Sequence, residues 1–120
     1  MAKFPQVQVK AHNHTVVVEE GGVFSVEAER LAKADWRQRS GLPQGYVAIY
    51  SVQGYYVVTN YNTNDEVVIA IADNVEEAIA SAKSSLVEFV NKYYNDEEEK
   101  TAELEDIERV FSELSAQVTA

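Results

Sequence analysis

The feature that most constrains this chain is a change of hydrophobic period in the middle of it. Tyr46–Val52 (YVAIYSV), Tyr55–Tyr61 (YYVVTNY) and Val67–Ala72 (VVIAIA) are three short runs rich in β-branched and aromatic residues, and Asn74–Tyr94 then switches to helical spacing. A β-meander feeding a helix is the arrangement this pattern predicts. Gln53-Gly54 has the spacing of a two-residue hairpin turn, so Val52 should face Tyr55, Tyr50 face Val57 and Tyr46 face Tyr61. Asn62-Thr63-Asn64-Asp65 is a turn of residues that bond their own backbone, and it pairs Tyr61 with Glu66 and Val58 with Ile69.

Because side chains alternate across a sheet, this register defines two faces. Val47, Ile49, Tyr56, Val58, Val67, Ile69 and Ile71 form a compact aliphatic face, expected to lie under the helix. The other carries Tyr46, Ala48, Tyr50, Val52, Tyr55, Val57, Thr59, Tyr61 and Val68, with four of the seven tyrosines of the chain. A tyrosine joins an apolar ring to a hydroxyl that can stay wet. The face of Tyr46, Tyr50, Tyr55 and Tyr61 is therefore expected either to lie under the N- or C-terminal helix or to serve as a partner-binding or base-stacking platform.

Upstream, QVQVK and TVVVEE predict two strands around a turn at His12-Asn13-His14. The two histidines do not make a metal site, because no third ligand accompanies them. Ser25 as N-cap, Glu27 and Glu29 in a first turn and Gly41 before Leu42-Pro43 predict a helix over Val26–Ser40. Arg30, Lys33 and Arg37 would then form a basic stripe beside Trp36, paired with the acidic C-terminal region of this chain or a second copy.

In the helix after the meander, Asp73 or Asn74 can cap, and Val75, Ile79, Ala82, Leu86, Val90 and Tyr93 form one apolar stripe. At ~1.5 Å per residue it should overhang the sheet at its C-terminal end. Leu104, Ile107, Phe111, Leu114 and Val118 then recur at heptad spacing. No Gly or Pro separates the two stripes, so residues 95–100 are either a turn between two helices or the wet middle of one long helix. The seam of Leu104, Ile107, Phe111 and Leu114 must be covered by the protein itself or by a second copy. The expected class is α+β: an antiparallel meander with an N-terminal hairpin or extra strands, packed against helices and followed by a helical hairpin or long helix. Residues 1–95 form the α+β unit, and residues 96–120 an acidic helix that packs back or dimerises.

Charge narrows the function. The 120 residues hold 20 acids against 10 bases, net −10. Residues 91–120 carry 9 acids and 3 bases, −6 of that total. Such a surface repels nucleic acids and anionic membranes and attracts basic proteins. No cysteine is present, which excludes disulfides and thiolate metal sites and fits a reducing compartment. The start MAKFPQVQVK has no signal-peptide core and no apolar run spans a bilayer, so a cytoplasmic protein is expected.

There is no phosphate loop, GxSxG or HExxH motif, and no cofactor or catalytic residue is indicated. Residues 45–90, GYVAIYSVQGYYVV through NVEEAIASAKSSLVEFV, resemble the sheet-and-helix part of HicB-type antitoxin domains, with NYNTNDEVVIAIAD replacing that family's proline- and glycine-containing segment. The resemblance implies a β-β-β-α arrangement and a protein-binding habit. The leading expectation is a non-enzymatic acidic regulator or inhibitor that binds a basic protein surface, as a nucleic-acid mimic in its sharpest form. Its carboxylates would be Asp96, Glu97, Glu98, Glu99, Glu103, Glu105, Asp106 and Glu108. The alternatives are an assembly protein dimerising through its last helix and a single-strand nucleic-acid binder stacking bases on the tyrosines beside Arg30, Lys33 and Arg37.

Overall fold

The computed structural model describes residues 7–11, 14–18, 28–38, 44–52, 54–62 and 65–119. Strands β1 (Val7–Ala11) and β2 (His14–Val18) pair antiparallel as a separate two-stranded ribbon. Strands β3 (Glu29–Asp35), β4 (Tyr46–Val52), β5 (Tyr55–Asn62) and β6 (Asp65–Ala72) make one antiparallel meander in chain order. Helices α1 (Val75–Tyr93) and α2 (Glu97–Thr119) follow. The chain is an α+β protein with a four-stranded sheet packed against two C-terminal helices.

The β4–β5 register is the expected one, Val52 to Tyr55 and Tyr46 to Tyr61, and Gly54 supplies the turn with φ 85°. At the far turn Tyr61 pairs with Glu66, also as expected. The pattern then slips, because Thr59 opposes Val68 while Val58 opposes Ala70, leaving Ile69 as an extra residue. This bulge corrects the expected Val58–Ile69 pairing and the placement of Ile71. Ala70 takes the position under the helices, and Ile71 joins Val57 on the tyrosine side.

A second correction concerns residues 26–40, expected to be helical. Glu29–Asp35 is strand β3, exposed and buried residues alternating over Ala32, Lys33, Ala34 and Asp35. Its composition suits a helix, but six of its seven residues pair with β4, and ladder and burial together outweigh intrinsic propensity. The proposed cap at Ser25 and stop at Gly41 lie outside the described residues, as does the turn at His12-Asn13.

The chain breaks between the helices, which resolves the open choice over residues 95–100 in favour of a hairpin. Tyr94 leaves the helix with an extended backbone, and the Asp96 carboxylate restarts it by accepting from the N–H of Glu98 (2.9 Å) and Glu99 (3.1 Å). Helix α1 covers β5 and β6 and α2 covers β3 and β4 on the same face. Val47, Ile49, Val58, Ala70, Ala78, Ile79, Ala82, Val90, Ile107, Val110, Phe111 and Leu114 are the buried centre. The seam residues Ile107, Phe111 and Leu114 are thus consumed inside one chain, with Leu104 packed at their margin.

Candidate functional site

Two surfaces were singled out by their residue types, and the fold treats them differently. The tyrosine face is opposite the helices, so neither helix packs over it. Its centre is nonetheless buried: Ala48, Tyr50, Val52, Val57, Val68 and Ile71 form a second apolar cluster, with Tyr46 and Tyr55 packed against it.

A polar line crosses this face from β3 to β6. The Arg30 guanidinium donates to the Tyr50 hydroxyl (3.0 Å) and to the Tyr46 hydroxyl (3.3 Å), and lies over both rings. Tyr50 in turn donates to Glu66 (2.5 Å), which also accepts from Thr59 (2.6 Å) and Tyr46 (3.3 Å). One glutamate is thereby held by three hydroxyls from two strands. Burial, then the hydrogen bond to Glu66, pushes the Tyr50 hydroxyl well above the ordinary tyrosine range, because ionising it would set two anions side by side. Tyr46 is raised for the same reasons, burial first. Arg30 is held above its ordinary value by its bond to Tyr50.

Tyr46 stacks on Tyr61 at 5.0 Å, and Lys33 sits over the Tyr46 ring at 4.7 Å. Arg30 and Lys33 share this face because the β3 register shifts between Arg30 and Ala32. These rings are therefore engaged with one another and with cations. Tyr50, at 5 % exposure, presents no ring for a base to stack on.

Arg37 leaves that group and turns toward the acidic helix, as the charge pattern suggested for the basic stripe. It contacts Glu103 at 2.6 Å, while its backbone N–H donates to Asp106 at 3.1 Å. Arg109 holds Asp106 at 2.5 Å, and that bond raises the guanidinium pKa.

The eight candidate carboxylates divide accordingly. Glu103 and Asp106 are buried and anchor β3 to α2, Asp96 caps α2, and Glu108 pairs with Lys83 at 2.8 Å. Glu97, Glu98, Glu99 and Glu105 remain exposed, and none of them is in an ion pair among the described residues. Glu97, Glu98 and Glu105 line a shallow open groove with Thr101 and Ala102.

No group of three or more metal-ligating residues occurs among the described residues, and none of their helices is long and apolar enough to cross a membrane. Searches of protein-family models, curated proteins and solved structures find no match to this chain. What the HicB-type resemblance implied is met in the β-β-β-α order alone, and no residue role is carried from that family.

Tyr93, expected on the apolar stripe of α1, is instead 58 % exposed, beside Phe89 at 53 %. Their rings meet at 4.8 Å, and Lys92 lies over Tyr93. Both are one helical stripe with buried Ala78 and Ala82, so they expose the core-facing side of an overhanging helix end. The length mismatch between helix and strand was the signal for them.

Proposed function

We propose that this protein is a non-enzymatic, acidic protein-binding module of the cytoplasm that regulates or inhibits a partner by covering its basic surface. The observation that carries the reading is the set of exposed carboxylates at the start of α2, Glu97, Glu98, Glu99 and Glu105. The first turn of a helix favours negative charge, which suits Glu97, Glu98 and Glu99, and Glu105 follows about two turns further along α2. From Glu98 to Glu105 the helix rises ~10 Å, about three phosphate steps of a nucleic-acid strand at ~3.4 Å each. That spacing supports the mimic version, in which a nucleic-acid-binding protein is the target.

The test is capture from a bacterial lysate on the tagged protein, beside a variant carrying Glu97→Gln, Glu98→Gln, Glu99→Gln and Glu105→Gln. The expected result is a basic nucleic-acid-binding protein retained at ~0.1 M salt and released at ~0.5 M, as the screening length falls from ~10 Å to under ~5 Å. The variant should retain little of it. Equal capture by the variant, or salt-resistant capture, would rule the reading out.

A further inference from the structure

Strand β3 is an outer strand of the sheet, and side chains of α2 fill its outward side. Trp36 sends its N–H to the Gly45 carbonyl on the β4 side (3.0 Å), so Lys33, Asp35 and Arg37, at alternate positions, direct their backbone groups outward. Helix α2 meets all three. The Gln117 amide donates to the Lys33 carbonyl at 2.7 Å while its oxygen accepts from the Lys33 N–H at 3.2 Å, the pair of bonds a neighbouring strand would make. Arg109 donates to the Asp35 carbonyl at 3.0 Å, and Asp106 accepts from the Arg37 N–H at 3.1 Å.

The fit is set by spacing. Asp106, Arg109 and Gln117 lie at i, i+3 and i+11, one stripe of a helix, and span ~16 Å. Lys33 to Arg37 spans ~13 Å, and the contacts run in opposite order, so the stripe lies antiparallel along the strand. Arg109 is aimed by carboxylates on both sides, Asp106 at 2.5 Å and Glu113 at 3.3 Å. Burial is not what closes this edge, because the Lys33 and Asp35 side chains are 40 % and 52 % exposed.

An edge strand is a template for pairing unless something occupies it. We infer that the Asp106–Arg109–Gln117 stripe is a seal, a side-chain substitute for a strand that keeps β3 from pairing with β3 of a second copy. Two observations select a second copy. A lone lysine on an edge deters pairing, but antiparallel pairing about a two-fold axis at Ala34 sets Lys33 opposite the partner's Asp35, and Asp35 opposite the partner's Lys33. The same register offers the Lys33 N–H and carbonyl the bonds that Gln117 now supplies. The second observation is charge balance. Glu29–Asp35 sets Glu29 and Asp35 against Arg30 and Lys33, so in a chain of net −10 this strand approaches its own copy without added repulsion. A strand added there takes the space of Gln117 and Arg109, so the sealed and paired forms exclude each other.

The test is sedimentation of the full chain at ~100 µM, wild type beside a variant carrying Arg109→Ala and Gln117→Ala. The wild type should run at 13.4 kDa and the variant at twice that or more, with the near-ultraviolet circular dichroism kept. Adding Lys33→Asp should return the variant to 13.4 kDa, since aspartates alone would then face each other, and adding Asp35→Lys as well should restore association. Amide hydrogen exchange of the wild type needs no substitution: the Lys33 and Arg37 N–H groups should be protected although they point away from the sheet.

A folded variant that stays at 13.4 kDa, association indifferent to Lys33→Asp, or a wild type that associates as strongly as the variant would overturn the inference. So would a Lys33 amide that exchanges at the rate of an unstructured peptide, whether or not the variant folds.

Discussion

Tyr50 is the residue on which the sheet's polar line depends. Its hydroxyl is at once an acceptor for Arg30 and a donor to Glu66, so Tyr50→Phe removes the charge-assisted bonds to both and leaves both partners beside an apolar ring. The expected loss is ~1–3 kcal/mol in urea unfolding. The pH dependence has a definite sign. In the unfolded chain a tyrosine ionises near pH ~10, while folding holds Tyr50 protonated to higher pH. Its contribution is complete below the unfolded value and is lost as pH rises through the folded one. Wild-type stability should therefore fall above pH ~10 more steeply than that of Tyr50→Phe. In a tyrosinate absorbance titration the wild type should show a late-ionising group that the variant lacks. Equal slopes would mean that Glu66 does not feel this hydroxyl.

At the level of elements, legibility followed the locality of the signal. The β4–β5 hairpin and the caps of α1 and α2 are written in adjacent residues: Gln53-Gly54, Asn74 accepting from Glu77, and Asp96. Strand β3 was not legible, since Glu29–Asp35 holds good helix formers and its fate depends on a partner strand more than ten residues away. The β6 bulge was hidden for a related reason. Val67–Ala72 is apolar on both faces, and a run without alternation does not reveal where its register slips. The C-terminal seam was legible as a seam but not as to what covers it, because heptad spacing is the same within a hairpin and between chains. The structure buries Leu114 completely and Phe111 to 2 % exposure within one protomer. Leu114→Ala should thus cost about 2–5 kcal/mol without changing the association state. Tyr93→Ser should cost little stability. Calorimetry paired with sedimentation separates the two effects, and a dissociated but equally stable Leu114→Ala protein would show that the seam is intermolecular.

For the whole molecule, the division expected at residue 95 is not a division of the core. Helix α2 carries more than an acidic surface: Ile107, Val110, Phe111 and Leu114 share one buried cluster with Val47 and Ile49 of β4 and with Ala78 and Ala82 of α1. Its Gln117 and Arg109 close the β3 edge, and its Glu103 and Asp106 fix Arg37. Removal of residues 96–120 would uncover half of the helix-facing side of the sheet and reopen a strand edge in the same step. The expected outcome is loss of cooperative unfolding, with no thermal transition in near-ultraviolet circular dichroism and a tendency to aggregate through the uncovered sheet. A fragment ending at residue 95 that kept a sharp transition would instead establish α2 as an appendage, and the acidic surface could then be moved or deleted without touching the fold. Because the same helix presents Glu97, Glu98, Glu99 and Glu105 outward while its other face completes the core, the carboxylates are held on a rigid element. Their neutralisation to Gln should leave the melting temperature within a few degrees or raise it slightly, since a chain of net −10 loses self-repulsion. Binding lost at constant stability is the signature that separates a docking surface from a structural one.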